Sequence, residues 1–215
     1  MLGSQRRRKW FGRFLAKTIV LAAGKSTRLD GKCKLLVEAD GKPVHKWHSD
    51  AWGEKIDALV QPEHLGPLLS AGWGGLAIGL DVGGGPARAL LGYMDIVQEQ
   101  GRITVVYADS LVKSRIDTPG DWVGVSVAPG RVWDYWNGFD WVRGMPAVRV
   151  CCGIYQFEDG ALLLDILRGI EYPDGGEVGM TAVLRRYDHK RRLERLLIED
   201  WQDAGDWDAL KKVKQ

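Results

Sequence analysis

Short apolar runs alternate with amphipathic stretches along the first half of the chain. Residues 18–21 and 103–107 are β-branched runs that end at turn residues, a pattern typical of strands buried on both faces, and residues 56–60 are also predicted to form a strand. Three stretches have helical composition and period: residues 43–52, 62–71 and 87–99. Strands that alternate with helices favour a mostly parallel sheet with right-handed crossovers.

The second half of the chain is less regular. Its strand-like segments are residues 122–127 and 147–155, and residues 161–169 and 207–213 have helical character. Residues 193–199 are compatible with either a strand or a helix, and residues 34–38 are predicted to be extended. We therefore expect an α/β fold in which residues 17–215 form a single domain behind a basic extension, residues 1–16.

Composition narrows the functional classes. The chain has 215 residues and a net charge of +2, so bulk charge implies no nucleic-acid partner. No apolar run reaches the roughly 18 residues that a membrane helix needs. Two of the three cysteines are adjacent, which argues against a secreted disulfide scaffold and for a cytoplasmic protein. The basic residues 6–9 are either a tether to nucleic acid or to an anionic membrane, or a solvated extension, and we favour the extension.

The loop after the first strand carries the most chemistry. Small residues and Gly24 let backbone N–H groups approach an anion closely. Lys25, Arg28 and Lys34 add three cations within ten residues. A triphosphate needs such a combination of backbone donors and cations. The loop is not a Walker A motif, because position 19, where that motif has its first glycine, is Ile.

The same loop resembles the opening of the sugar-1-phosphate nucleotidyltransferases. The matching residues are Leu21-Ala22-Ala23-Gly24-x-x-x-Arg28-Leu29, then Lys34-Leu35-Leu36 and Gly41-Lys42-Pro43. Further similar segments follow in the family's order: residues 84–90, 105–109, 152–155 and 201–210. The resemblance implies a Rossmann-like, GT-A-like three-layer sandwich with a mostly parallel mixed central sheet. It implies transfer of a nucleoside monophosphate from an NTP to a sugar-1-phosphate, with Mg²⁺ as the cofactor.

The resemblance also implies a role for each matching position. Catalytic roles fall to Arg28 and Lys34, and metal binding to Asp109 and Asp203. The nucleotide would contact Leu21, Ala22, Ala23, Gly24, Lys25 and Gly85. The sugar phosphate would lie beside Gly153; the family's Glu-Lys-Pro segment has no counterpart here, and Arg143 or Arg149 would replace its lysine.

Several alternatives stay open. The acceptor is either a sugar phosphate or another phosphate, such as phosphocholine or a pterin, and a degenerate module that binds nucleotide-sugar without turnover is a further alternative. His45 and His48 lie three apart on a predicted helix, but no Cys or carboxylate completes a zinc set, so we favour structural histidines. The basic residues between 185 and 195 are interpreted as an exposed face. The aromatic residues between 133 and 141 either stack on substrate, cover the sheet or form a contact between identical subunits.

Overall fold

The computed structural model describes residues 17–24, 26–80, 83–127, 135–136, 141–142 and 150–213. Its strands are β1 (Lys17–Ala22), β2 (Glu38–Ala39), β3 (Lys42–Pro43), β4 (Asp57–Val60), β5 (Ala77–Gly79), β6 (Ile103–Tyr107), β7 (Ser110–Leu111), β8 (Trp122–Ser126), β9 (Tyr135–Trp136), β10 (Trp141–Val142), β11 (Val150–Phe157), β12 (Glu194–Leu197) and β13 (Gln202–Asp203). Its helices are α1 (Val44–Trp52), α2 (Pro62–Ser70), α3 (Gly85–Val97), α4 (Gly160–Arg168), α5 (Met180–Lys190) and α6 (Trp207–Leu210).

The centre of the described structure is a seven-stranded sheet with the strand order β12-β8-β11-β6-β1-β4-β5. β1 pairs in parallel with β4 on one side and with β6 on the other. β11 runs antiparallel to its neighbours β6 and β8, while the remaining pairs are parallel. The expected mixed, mostly parallel sheet is thus confirmed.

Helices cover both faces of this sheet. Along β1, Val20 and Ala22 face the core that contains α1 and α2, whereas Ile19 and Leu21 face the core that contains α3, α4 and α5. Because successive strand residues point to opposite faces, one apolar run serves both cores. The result is the expected three-layer sandwich. No helix in the described ranges is long and apolar enough to cross a bilayer.

Two segments differ from the sequence-based predictions. The segment predicted to be extended at residues 34–38 instead begins with a 3-10 turn over Lys34–Leu36, and only Glu38 enters a strand. Leu35 and Val37 are buried between more exposed neighbours, so a tight turn here imitates the alternation of a strand. Helix α5 was not predicted. Its buried residues Met180, Val183, Leu184 and Tyr187 have helical spacing, but the basic residues of the 185–195 cluster, which are exposed as expected, obscure it.

One buried carboxylate ties the start of β4 to its surroundings. Asp57 is 2% exposed and accepts hydrogen bonds from Tyr93 Oη at 2.6 Å, Lys17 Nζ at 2.9 Å and the Leu76 amide at 3.3 Å. Replacing Asp57 by Ala is expected to lower the free energy of unfolding by about 2–4 kcal/mol, since it leaves a buried hydroxyl without its acceptor. Urea unfolding measures this loss. Asp50→Ala, at an exposed ion pair with Lys42, is the control and should change stability by less than about 0.5 kcal/mol.

Candidate active site

A cavity of about 460 Å³ opens where β1 and β6 end. The chain leaves β1 for β4 and β5 on one side and later returns to β6 on the other side, so the strand order reverses between β1 and β6. In open α/β sheets ligands bind at such a switch point, beyond the carboxyl ends of the strands. The cavity is therefore where the fold itself predicts a ligand.

The loop after β1 forms one wall of this cavity. Ala23 and Gly24 line it directly after the strand, and a 3-10 turn over Thr27–Leu29 follows. Ser26 begins the turn with a left-handed φ of 50°, and its carbonyl accepts the Leu29 amide at 2.8 Å. Leu29 is fully buried, which fixes the turn and leaves Arg28 exposed at the cavity. Lys25 lies outside the described residues.

Two of the predicted residues that line the cavity form an ion pair with each other. Lys34 Nζ lies 2.5 Å from Asp109 Oδ2, and both side chains are largely buried, 18% and 17% exposed. Lys34 stands on the 3-10 turn whose Leu35 is buried in the core, and Asp109 follows the end of β6. Residues 75 apart in sequence thus form one charged unit.

The second predicted carboxylate reaches the same place through a short strand pair. β13 pairs with β7 so that Asp203 lies opposite Ser110, and the Ala204 amide donates to the Asp109 carbonyl at 2.8 Å. Asp203 Oδ1 accepts the Gly205 amide at 2.9 Å. A Cβ atom on Gly205 would lie 3.0 Å from Asp203 Oδ1 and 3.5 Å from each terminal nitrogen of Arg28. The small residue at 205 therefore lets the Arg28 guanidinium lie near Asp203.

The other three carboxylates of this region have different surroundings. Asp200 accepts the amides of Lys113 and Ser114, Asp206 caps α6 through the Ala209 amide, and Asp208 is exposed beside Lys211. None of the three lines the cavity, whereas Asp203 does. Geometry thus distinguishes four acidic residues that sequence alone treats as nearly equivalent.

A neutral part of the cavity lies beside this charged cluster. Tyr107 and Tyr155 meet edge to face with ring centroids 5.9 Å apart, and Cys151 Sγ lies 3.6 Å from Tyr155 Oη. Burial raises the pKa of all three groups above their ordinary values, so each keeps its proton at neutral pH. These side chains can pack against or donate to a ligand, but they are poorly suited to accept a proton from it.

Several solved structures have a similar fold over most of this chain. A protein assigned by name as a glucose-1-phosphate thymidylyltransferase from Bacillus anthracis superposes with a TM-score of 0.73 over 93% of this chain and 97% of its own, at 18% identity. The inositol-1-phosphate CTP transferase of T. maritima gives 0.68 over 91% of each chain at 16% identity. CTP:phosphocholine cytidylyltransferase from Streptococcus pneumoniae gives 0.68 over 90% of this chain and 95% of its own at 14% identity.

The chain has the nucleotidyltransferase fold. The fold expected from the motifs in the sequence is therefore confirmed by structures that share less than a fifth of its residues. The sequence itself matches no protein-family model and no curated protein.

On this nucleotidyltransferase fold, the predicted residues within the described ranges surround one cavity. The lining includes Leu21, Ala22, Ala23, Gly24, Arg28, Lys34, Gly85, Asp109, Gly153 and Asp203. Arg143 and Arg149, the predicted substitutes for the missing lysine, lie outside the described residues. The roles assigned to all of these residues stay predictions.

The structure adds a segment that sequence analysis missed. Glu177, Gly179, Met180 and Thr181 line the cavity at the start of α5. Gly85 lets this segment pack closely against the start of α3. Its φ of +79° favours glycine, and a Cβ there would lie 3.0 Å from the amide nitrogen and carbonyl oxygen of Val178. The glycine-rich run at 175–179 ahead of a buried helical stripe was the available signal.

Both the backbone conformation and the surrounding packing require glycine at position 153. Its φ is +69°, and a Cβ would lie 2.8 Å from Ser110 Oγ and 3.0 Å from the Tyr107 ring. We expect Gly153→Ala to lower the free energy of unfolding by about 2–3 kcal/mol, because strain and overpacking add. Gly175→Ala, at the same kind of φ (+70°) but with nothing within 4 Å, should cost about 1 kcal/mol and isolates the conformational part. Equal losses in thermal unfolding would contradict the packing argument.

The donor set also fits a hard divalent cation. Asp203 lies on β13, Asp109 directly precedes the neighbouring strand β7, and both residues line the cavity. Mg²⁺ is typically held by one or two carboxylates together with phosphate and water. No group of three or more His, Cys, Asp or Glu side chains arranged for a metal occurs among the described residues. A carboxylate pair suits an ion that arrives with a phosphate ligand, and it suits a closed structural zinc site poorly.

Proposed function

We propose that this chain is a Mg²⁺-dependent nucleotidyltransferase that transfers a nucleoside monophosphate from an NTP to a sugar-1-phosphate. The observation that carries the proposal is the meeting of Arg28, Lys34, Asp109 and Asp203 at one cavity beside the small-residue loop after β1. The products would be an NDP-sugar and pyrophosphate. Nucleotidyltransferases of similar fold act on phosphorylated sugars, inositol or choline, which supports the general reaction.

The reaction needs alignment and charge neutralisation more than proton transfer. A sugar-1-phosphate is largely dianionic at neutral pH, because the second pKa of a phosphate monoester is about 6. One of its oxygens attacks the α-phosphorus, a new phosphorus–oxygen bond forms, and the bond from that phosphorus to the bridging β-oxygen breaks as pyrophosphate leaves. The neutral groups around the cavity, which keep their protons, agree with a mechanism that lacks a general base.

Each residue of the site has a separate proposed role in this reaction. The backbone at Ala22–Gly24 would cradle the triphosphate, and Arg28 and Lys34 would neutralise charge that develops on the departing pyrophosphate. Asp109 and Asp203 would hold the divalent ion, which when bound would neutralise phosphate charge and orient the two anions. Lys34 pairs with Asp109, so the Lys34 ammonium lies beside the proposed metal carboxylate.

A direct assay tests the proposal. The protein is incubated with each NTP, a panel of sugar-1-phosphates and Mg²⁺, and pyrophosphate release is measured. We expect release with one preferred pair and its loss in excess EDTA, restored by added Mg²⁺. No release with any NTP and sugar-1-phosphate pair would overturn the proposal.

A second acceptor class is favoured by a specific observation. Two of the similar structures are cytidylyl-transferring proteins named for inositol phosphate and for phosphocholine. Including phosphocholine, inositol-1-phosphate and pterin phosphates in the same assay separates the two classes. Turnover with one of these compounds and not with a sugar-1-phosphate would assign the chain to nucleotidyl transfer onto a non-sugar phosphate.

A further inference from the structure

Two buried histidines of α1 contact the two segments that carry the Lys34–Asp109 pair. His45 is 3% exposed, and its Nδ1 lies 3.1 Å from the carbonyl of Leu35, the residue after Lys34. His48 is 1% exposed, and its Nε2 lies 3.0 Å from the carbonyl of Ala108, the residue before Asp109. Neither histidine lines the cavity.

These contacts define the state of each imidazole. A carbonyl only accepts hydrogen bonds, so His45 carries a proton on Nδ1 and His48 carries one on Nε2. Burial lowers the pKa of both rings, that of His48 to about 4, so each is neutral at pH 7 with its proton on the bonded nitrogen.

His45 and His48 do more than fill the core, because they connect two separate backbone segments. Side chains one turn apart on one helix reach two backbone segments that are 73 residues apart in sequence, at Leu35 and Ala108. The segment at Leu35 is a 3-10 turn and that at Ala108 directly follows β6, so neither lies inside a long helix or strand, and the histidine contacts add to the few bonds that hold them. Helix α1 is therefore a common support for both members of the ion pair.

We propose that His45 and His48 are positioning residues that set the distance between Lys34 and Asp109 in the active site. This inference rests on the proposed nucleotidyl transfer. Each histidine acts through a backbone carbonyl next to the functional residue and touches no reacting atom. Loss of the His48 contact would loosen the segment of Asp109, which keeps its backbone hydrogen bonds to Leu21 and Ala204. Loss of the His45 contact would loosen the turn of Lys34, which keeps its buried Leu35.

The chain offers matched variants for a test. Glutamine places its amide nitrogen close to the position of a histidine Nε2, and asparagine does the same for Nδ1, so His48→Gln and His45→Asn keep the donors. His48→Phe and His45→Leu remove them at similar volume. Trp47→Phe is the control: Trp47 Nε1 donates to the Ala39 carbonyl at 3.1 Å from the same helix, but toward the β2–β3 hairpin away from the cavity.

Two readouts decide the outcome. In the pyrophosphate assay we expect His48→Phe and His45→Leu to lower kcat at least fivefold with KM for the NTP within about twofold of wild type. His48→Gln and His45→Asn should recover most of this loss, and Trp47→Phe should leave kcat within twofold. Comparable kcat losses in Trp47→Phe and His48→Phe, at comparable losses in melting temperature, would overturn the proposal.

Hydrogen exchange tests the same proposal without turnover. The Ala108 amide donates to the Leu21 carbonyl at 3.1 Å, so peptides that span residues 106–112 report the segment of Asp109. We expect faster exchange there in His48→Phe and unchanged exchange in Trp47→Phe, whose effect should be confined to residues 38–43. If wild type shows no turnover, the proposed function fails, and this measurement still decides the positioning role: equal exchange in both variants contradicts it.

Discussion

Asp109→Asn is expected to lower kcat for pyrophosphate release by a few hundredfold, about 150- to 900-fold. The substitution keeps the size of the side chain but removes the charge that pairs with Lys34 Nζ at 2.5 Å, and with it one of two carboxylates proposed to hold the divalent ion. Loss of a group that stabilises transition-state charge costs about 3–4 kcal/mol, and each 1.36 kcal/mol corresponds to a factor of ten in rate. The measurement is kcat at saturating NTP over a series of Mg²⁺ concentrations.

The control for this substitution is Asp208→Asn. Asp208 is exposed beside Lys211 and does not line the cavity, so the same loss of one negative charge should leave kcat within twofold. A rate for Asp109→Asn within threefold of wild type would contradict the assigned role. Tight NTP binding by a wild type that shows no turnover, unchanged in Asp109→Asn, would indicate a binding module that has lost catalysis.

The central strands could be predicted from the sequence because they are buried on both faces. Residues 103–107 were predicted with the bounds that β6 has, since an uninterrupted β-branched run ending at a turn has few other interpretations. The strand pair β7–β13 gave no such signal. Two residues per strand are too few for a period, and the pairing that brings Asp203 to Ser110 forms between segments far apart in sequence.

The candidate site could be predicted from the sequence for a different reason. Glycine and small residues followed by cations at Arg28 and Lys34 form a local pattern, and the strand before it orients that pattern. The partners of these cations are non-local. That Lys34 reaches Asp109, and that Gly205 leaves room for Arg28 beside Asp203, depends on side-chain packing that no spacing rule contains.

The cavity wall at the start of α5 was the least predictable part of the site. It includes Glu177 and Thr181, and the four buried positions of this helix are outnumbered by polar ones. Sequence reasoning interpreted the basic face of this helix as surface charge, which it is, and so overlooked the opposite face. The signal for this face is the helical spacing of Met180, Val183, Leu184 and Tyr187 inside a charged segment.

Arg28→Ala is expected to lower kcat/KM for the NTP about a hundredfold. Arg28 is exposed at the cavity, on a turn that the buried Leu29 fixes. Its terminal nitrogens lie near Asp203, on the side where Gly205 has no side chain. A guanidinium contributes charge and paired donors to a phosphate, so Arg28→Lys should recover part of the loss, about tenfold below wild type. Steady-state kinetics with varied NTP at saturating acceptor measure both values.

The same loop supplies the control that gives this prediction its meaning. Lys32 lies 5.0 Å from the ring centroid of Trp207 and does not line the cavity, so Lys32→Ala removes one positive charge from the same segment without touching the proposed phosphate site. We expect kcat/KM within about threefold of wild type for this variant. A direct contact between Arg28 and the triphosphate depends on where the charge lies, whereas long-range attraction depends only on its sign. Equal losses in Arg28→Ala and Lys32→Ala would therefore mean that the loop acts through its overall charge and would contradict the direct contact.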